Sequence, residues 1–267
     1  LAALAERALA LAPPEAELVP AVLHASALAT LGEHARARTL LRRRHEALRA
    51  LDPTGPGHEI LAVAALVHLW MEDYEDAERL LVWLVETCRE RGAIVALAFP
   101  LAVSASLHMR RGSLGEAARL SDEAVGLGED AVGSFLHSVT LTTAAFVAAN
   151  LGDTEACVRH AEEARAIALR LDLTSTLACA EQALGFLALG AGDPVTAVVH
   201  LEHAREHTRR FGSRDPSFLY THADLAEAYV RAGRPADVPA HSDASPPAPS
   251  RATPFSPPCT LSPIASL

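Results

Sequence analysis

The stretch Gly32-Glu33-His34-Ala35-Arg36-Ala37 has counterparts at a constant spacing along the chain. The counterparts begin at Glu72, Gly112, Gly152, Gly192 and Gly233, which gives a period of about 40 residues with the last copy one position late. A period this regular predicts a repeat array in which each unit is a helix pair that buries its apolar face by stacking on its neighbours. We therefore expect an all-α fold, an α-α superhelix of about six helix-pair repeats.

Each unit is expected to contain a first helix before this turn and a second helix after it, separated from the next unit by helix-breaking residues. The first helices are predicted over residues 16–31, 59–71, 94–111, 134–151, 175–189 and 217–232. The second helices are predicted over residues 34–51, 74–91, 114–127, 154–171 and 194–211. Residues 1–12 have the spacing of one more amphipathic helix, which would be the second half of an earlier unit.

Small side chains recur in phase with the turn on both helices of each unit. Seven residues before the turns stand Ala25, Ala65, Ala105, Ala145, Gly185 and Ala226. Five residues after them stand Ala37, Ala77, Ala117, Cys157, Ala197 and Val238. Small residues facing each other across a helical hairpin allow the two backbones to approach closely, so we expect these positions to form the seam of each pair.

The phased small residues and the Gly-Asp type turns resemble the tetratricopeptide repeat, whose usual period is shorter, about 34 residues. The longer unit, and the phrase Asp224-Leu-Ala-Glu-Ala-Tyr-Val-Arg-Ala-Gly-Arg-Pro-Ala-Asp237, are similar to the tetratricopeptide-like superhelix of the large ATP-binding LuxR-type transcriptional regulators, the MalT-like group. The resemblance covers residues 1–238. It implies a bacterial, cytoplasmic array that receives an effector or a partner protein. A free-standing scaffold that binds a peptide or partner protein is the alternative.

Composition argues against several functions for these residues. The net charge of −10 disfavours direct contact with nucleic acid. The chain contains no lysine, so it has no Walker A loop, and no basic recognition helix precedes the proline-rich end. The most apolar run, residues 93–107, is too short to span a bilayer and contains Pro100. The four cysteines form no C-x-x-C pair, which favours reduced, buried thiols.

Both ends of the chain interrupt the repeat. The first residue is Leu1 and the first unit lacks its first helix, which predicts a chain that begins inside a longer protein. Residues 239–267 follow the array as a Pro/Ser-rich tail, and eight of the 17 prolines lie in residues 238–267. Such a composition predicts disorder, and the tail is either an alternative terminus or an out-of-frame read. Uncapped repeat ends are expected to promote self-association.

No residue pattern supports catalysis, a cofactor or a metal. His200, His203 and His207 share one helical face, but a solvated outer face explains that spacing better than a metal site. His68 and His108 lie one period apart, each near the end of a first helix, where a paired histidine is the more common outcome. We expect no enzyme activity.

The phase of the repeat also predicts a binding groove on the concave surface, which the first helices line in arrays of this kind. Positions two and six residues before each turn would point into it. The candidate groove residues are Leu66, Trp70, Arg110, Phe146, Asn150, Phe186, Glu227 and Arg231. Aromatic rings interleaved with a few polar groups are typical of a peptide or small-ligand groove, whereas packing between units would account for the apolar members alone.

Overall fold

A computed structural model describes residues 2–13, 16–55, 57–128 and 135–238. In these ranges the chain forms 13 α-helices and no strand, which confirms the predicted α-α superhelix. The proline-rich tail predicted over residues 239–267 lies outside the described residues. Among the helices that are described, none is both long and apolar enough to cross a membrane.

The helices alternate along the chain as the period predicts. The first helices are α2 (Leu18–Thr30), α5 (Glu59–Trp70), α7 (Ala98–Arg110), α9 (Phe135–Leu151), α11 (Thr174–Gly190) and α13 (Thr221–Arg231). The second helices are α6 (Tyr74–Glu90), α8 (Leu114–Gly128), α10 (Thr154–Leu171) and α12 (Pro194–Phe211), preceded by α1 (Ala2–Leu11) and by the pair α3 (His34–Arg43) and α4 (His45–Ala50). Each first helix contacts the first helix of the next unit, so these helices form the inner layer.

Three helices differ from the expected ones by a division or by more than two residues at one end. The helix predicted over residues 34–51 is divided at Arg44, whose amide bonds to Leu41 O, three residues back instead of four. A 3-10 turn at Ile94–Ala96 precedes α7, so the helix predicted from residue 94 begins at Ala98. The first helix of the sixth unit, α13, begins at Thr221 and not at residue 217, because Ser217 is held by hydrogen bonds with Trp70 and Arg110.

The recurring turn has one backbone conformation throughout. Its first residue has positive φ in every unit: Gly32 80°, Glu72 60°, Gly112 78°, Gly152 73°, Gly192 81° and Gly233 74°. Glycine adopts this left-handed conformation without steric cost, whereas a side chain there costs roughly 1–2 kcal/mol. Glu72 is therefore the strained member of the series.

Glu72→Gly is expected to raise the free energy of unfolding by about 0.5–1 kcal/mol, because it relieves that strain. Urea unfolding measures the change. Glu72→Ala keeps a Cβ at the same φ and is the control. A gain as large for Ala as for Gly would show that the carboxylate, and not the backbone, is responsible.

The seam of small residues is buried as predicted in the first five units. The side chains of Ala25, Ala65, Ala105 and Ala145, and of their partners in the second helices, are 0% exposed. In the sixth unit the prediction is wrong: Ala226 and Val238 are half-buried, and Leu225 fills the interior position instead. Within the described residues, which end at Val238, α13 is followed by a 3-10 turn, Pro235–Asp237, so Val238 does not lie on a second helix that packs against α13.

Ala117→Leu and Ala145→Leu are each expected to cost about 1–3 kcal/mol, because the added side chain overpacks the seam between two backbones. Thermal unfolding of the two variants measures the loss. Melting temperatures equal to that of the parent chain in both variants would contradict the close packing.

The cysteines within the described ranges are reduced, as expected. Cys88 and Cys157 are buried and Cys179 is half-buried. Burial raises the pKa of the Cys157 thiol to about 11, and the negative charge of Asp153 adds to the rise. A thiol held in this form is a poor nucleophile, so Cys157 acts as a small apolar residue in the seam. Cys259 lies outside the described residues.

Candidate functional site

The concave surface of the superhelix holds a segment of its own chain. Residues 212–220 connect α12 to α13, and we call them the inner segment. They run past the C-terminal ends of α2, α5 and α7, which belong to the first three units. The groove predicted from the repeat is therefore partly occupied by residues that are distant from its walls in sequence.

The first contact of the inner segment is with the carbonyl oxygen of Thr30 at the end of α2. The amides of Arg214 and Asp215 donate to this oxygen at 2.8 and 3.1 Å, and Ser213 Oγ donates to it at 3.1 Å. The last carbonyls of a helix have no partner within the helix. The inner segment thus supplies donors to a helix end that would otherwise need water or a cap.

Asp215 is the charged anchor of the inner segment. Its side chain is 8% exposed, and Oδ2 lies 2.5 Å from His34 Nε2. The Ser217 amide donates to Oδ1 at 2.7 Å, and the Ser217 hydroxyl also contacts this oxygen. Burial raises the pKa of Asp215, but the hydrogen bonds from His34 and Ser217 outweigh it, so the net pKa lies below the usual value. The carboxylate is accordingly ionised at neutral pH.

An aromatic cluster fixes the middle of the inner segment. Phe218 is 6% exposed, and its ring meets the ring of Trp70 edge to face with centroids 5.1 Å apart. Phe211, the last residue of α12, stacks on Phe218 at 5.5 Å. Ser217 Oγ donates to Trp70 O at 2.6 Å, and Phe146 packs against the same cluster. Pairs of this geometry contribute about 0.5–1.5 kcal/mol beyond the area they bury.

Arg110 clamps the end of the inner segment. Its Nη2 donates to Ser217 O at 3.0 Å, and its Nη1 donates to Tyr220 Oη at 2.9 Å. The guanidinium carbon lies 5.1 Å from the centre of the Tyr220 ring, within the range of a cation–π contact. Burial raises the pKa of Tyr220 to about 12, against the opposing charge of Arg110, so the hydroxyl stays protonated.

The other candidate groove residues do not contact the inner segment through hydrogen bonds. Leu66 packs on the core of the first three units, and Phe186 packs between α9, α10 and α11. Asn150 is exposed, and its amide donates to Phe146 O at 2.8 Å. Glu227 and Arg231 are exposed on α13 and pair with each other at 3.1 Å. The inner segment therefore covers the ends of α2, α5 and α7 and also contacts Phe146 of α9, whereas Asn150, Glu227 and Arg231 are exposed; we call the exposed surface at Asn150 the open part of the groove.

The sequence analysis did not predict the inner segment. It also missed two of the wall residues, by which we mean the groove residues that contact the inner segment; these two are Thr30 and His34. Thr30 stands two residues before its turn, in phase with Trp70 and Arg110, so the period could have identified it. His34 lies just after the turn, where no rule of phase predicts an inward contact. Asp215 and Ser217 were assigned to a turn and a helix start, because local sequence carries no signal for partners so distant.

The histidine face of α12 surrounds a buried acid and not a set of ligands. Glu181 is 3% exposed, and its oxygens lie 2.8 Å from His200 Nδ1 and 3.1 Å from Arg165 Nε. His203 Nδ1 lies 3.7 Å away. Burial raises the pKa of Glu181, but His200 and Arg165 more than compensate, so the net pKa is lowered. Glu181 thus provides a charge partner for the outer histidines between α11 and α12.

One cluster in the described part of the chain brings three potential metal ligands within 4.8 Å of one another: His68, Asp73 and Asp76. Asp73, however, is already engaged by Arg38, whose Nε donates to Oδ2 at 2.8 Å and whose Nη2 donates to Oδ1 at 2.9 Å. A cation bound there would compete with the guanidinium for the same oxygens. We assign the cluster to the contact between the first two units.

A second buried polar group joins α11 to α13. Gln182 is 2% exposed, donates from Nε2 to Asp224 Oδ2 at 3.1 Å and accepts from Thr221 Oγ1 at 2.9 Å. Burial raises the pKa of Asp224 to about 6, and the charge of Glu227 adds to the rise. The folded state therefore binds a proton at Asp224 more tightly than the unfolded chain does, and this contribution to stability is lost as the pH rises from about 4 to 6.

Asp224→Asn is expected to raise the free energy of unfolding by about 1–2 kcal/mol at pH 7 and to change it little at about pH 4, since asparagine keeps the acceptor for Gln182 without ionising. Urea unfolding at the two pH values measures this. Asp122→Asn on the exposed face of α8 is the control. An equal effect of Asp224→Asn at both pH values would contradict the linkage.

Comparison with known proteins bears on the fold. No protein-family model matches the chain, and no curated protein matches it. Among solved structures, the chain is similar to BtubC (BKLC) from P. vanneervenii, with a TM-score of 0.52 and 20% sequence identity over 89% of this chain and 97% of that one. An identity this low supports the shared α-α superhelix and nothing more specific.

Proposed function

We propose that this chain is a non-catalytic binding module whose concave surface binds a polypeptide segment. The observation that carries the proposal is the inner segment itself, which lies in the groove and is held by main-chain and side-chain contacts from three units. Helices that offer carbonyl oxygens, a guanidinium and aromatic rings along one surface have groups that can bind both the main chain and the side chains of a peptide.

The polar groups on this surface favour binding over catalysis. The Thr30 and Trp70 carbonyls accept hydrogen bonds, and Arg110 donates them. His34 is paired with a carboxylate that belongs to the inner segment. An acid–base or nucleophilic site would instead place such groups around an open position for a reacting atom. Here the groups bind both main-chain and side-chain atoms of the inner segment.

We further propose that the array belongs to a cytoplasmic, bacterial MalT-like regulator and restrains its ATPase and DNA-binding modules. The support is the length of the repeat unit and the phrase at residues 224–237. A free-standing scaffold that binds peptides is the alternative. Sequence flanking this chain discriminates the two: a Walker A loop upstream or a helix-turn-helix downstream supports the regulator.

Self-association is also proposed. All residues of α1 are at least partly exposed, and Leu4 and Leu11 expose 69% and 81% of their surface. Apolar side chains at a repeat face favour contact with a second copy. Sedimentation over a hundredfold range of concentration tests this, and a constant monomer mass would contradict it.

The test of the binding function is selection of random peptides displayed on phage against the purified chain. Asn150→Arg places a large cation in the open part of the groove and is expected to weaken binding of the selected peptides at least tenfold. Glu155→Arg, on the exposed face of α10, is the control and should leave binding unchanged. Peptides that bind the Asn150→Arg variant as tightly as the parent chain would overturn the proposal.

A further inference from the structure

The inner segment has the features of a bound ligand that is covalently attached. Its hydrogen bonds to the groove are made with side chains and carbonyls of units one to three, although Phe146 of unit four and Ala178 of unit five also pack on its apolar residues. The segment itself enters from the end of unit five. Nothing in the bonding of the wall requires the occupant to be part of the same chain. The same acceptors, cation and rings would contact any peptide that has matching groups and adopts the same turn at residues 215–218.

The wall residues determine which chemical groups a bound peptide must carry. Thr30 O accepts from two amides and a hydroxyl, contacts that many sequences can make. His34 requires an acid, and the pocket beside Trp70 requires an aromatic ring. Arg110 requires a carbonyl followed by a hydroxyl-bearing ring three residues later. The order along the inner segment is acid, proline, serine, phenylalanine, leucine, tyrosine at residues 215–220.

The short distance between Asp215 and Gly32 further restricts which acidic residue the groove can bind. A Cβ at Gly32 would lie 3.4 Å from Asp215 Oδ2, at the edge of ordinary contact. The carboxylate therefore fits directly against the turn of the first unit, and a longer acidic side chain at this place would displace the backbone of the peptide from Thr30. Aspartate is favoured over glutamate.

We propose that the groove recognises a peptide that turns after its aspartate and has the pattern Asp-x-Ser/Thr-aromatic-apolar-Tyr, and that the inner segment, in which Leu219 is the buried apolar residue, occupies this site until such a peptide displaces it. This inference rests on the proposed binding function and deepens it by naming the ligand and its competitor. A tethered segment acts at an effective concentration on the order of millimolar. It therefore competes with a separate peptide for the site and weakens the apparent binding of that peptide. The contact is thus autoinhibitory.

The experiment uses a fluorescent peptide with the sequence of residues 211–222 and a chain in which residues 212–220 are replaced by the same number of glycines and serines. Fluorescence polarisation is expected to show binding to the replaced chain at least tenfold tighter than to the parent chain. Peptides with alanine in place of Asp215 or Phe218 should each bind about tenfold more weakly. Arg110→Ala in the replaced chain should do the same, whereas Arg79→Ala, which is on the exposed face of α6, should have no effect.

A second variant covers the case in which the replaced chain does not fold. Asp215→Ala in the full chain loosens the inner segment and leaves every wall residue in place. It is expected to bind the peptide several-fold more tightly than the parent chain does. Circular dichroism confirms the helical content of each variant.

Each outcome separates this inference from the proposed function. A folded replaced chain or Asp215→Ala variant that binds the peptide no better than the parent chain overturns the autoinhibition. If, in addition, phage-selected peptides remain sensitive to Asn150→Arg, the binding function stands and only the named ligand is wrong. If both sets of peptides fail, both proposals fall.

Discussion

Phe218→Ala is expected to lower the free energy of unfolding by about 3 kcal/mol and to release the inner segment from the concave surface. The ring is 6% exposed and contacts Trp70 at 5.1 Å and Phe211 at 5.5 Å, so its loss leaves a cavity lined by two large aromatic residues. With the ring gone, Ser217 and Tyr220 have less to hold them against Arg110. The hydrogen bonds there are expected to open before the helices do.

Two measurements distinguish this release from general destabilisation. The chain has two tryptophans, and in a Trp83→Phe background the remaining emission reports Trp70 directly. We expect a red shift for Phe218→Ala under conditions where helical content is unchanged, because water replaces the ring. The amides of Arg214 and Asp215 should also lose protection from hydrogen exchange, since their acceptor, Thr30 O, is no longer in reach.

Phe135→Ala is the matched control. Phe135 is 46% exposed at the start of α9, so its removal is expected to cost well under half as much. An equal loss of unfolding free energy in the two variants would show that Phe218 stabilises the fold no more than a half-exposed phenylalanine does. An unchanged Trp70 emission in Phe218→Ala would contradict its assigned place beside that ring.

Gly185→Val is expected to cost about 3 kcal/mol, because there is no room for a side chain between α11 and α12. A Cβ at this position would lie 2.6 Å from Leu201 Cγ and 3.3 Å from His200 Cβ. Leu201 is 0% exposed and cannot move into solvent. The other four complete units have alanine at the position that corresponds to Gly185. The helix pair α11 and α12 is therefore packed more closely than the others, with no room for a Cβ atom.

Gly126→Val provides the control for helix propensity. Gly126 is an exposed residue of α8, and a Cβ there would meet no atom within 4 Å. Valine and glycine differ by only about 0.5 kcal/mol as helix residues, so this variant should unfold almost as the parent chain does. Urea unfolding of the two variants compares them, and a similar loss in both would contradict the steric explanation for Gly185.

The repeat was predictable because its signals are local and recur. A left-handed turn in every unit favours glycine for backbone reasons, and a close helix pair favours alanine for steric reasons. Both requirements hold at each unit regardless of the rest of the chain. The same phase identified Trp70, Arg110 and Phe146 as candidate groove residues, and the structure places all three against the inner segment.

Local sequence therefore determined the fold class, the helix pairs and the phase of the inner layer. It could not determine what lies in the groove, because Ser217 bonds to partners 107 and 147 residues away and Ser213 to one 183 residues away. Residues 217–220 have the composition of a helix start, and in isolation α13 would be expected to begin there. Curvature of the superhelix brings Thr30, Trp70 and Arg110 within reach, and their contacts hold the inner segment in a turn outside the helix instead. That competition between a local helix and distant partners was decided only by the tertiary structure.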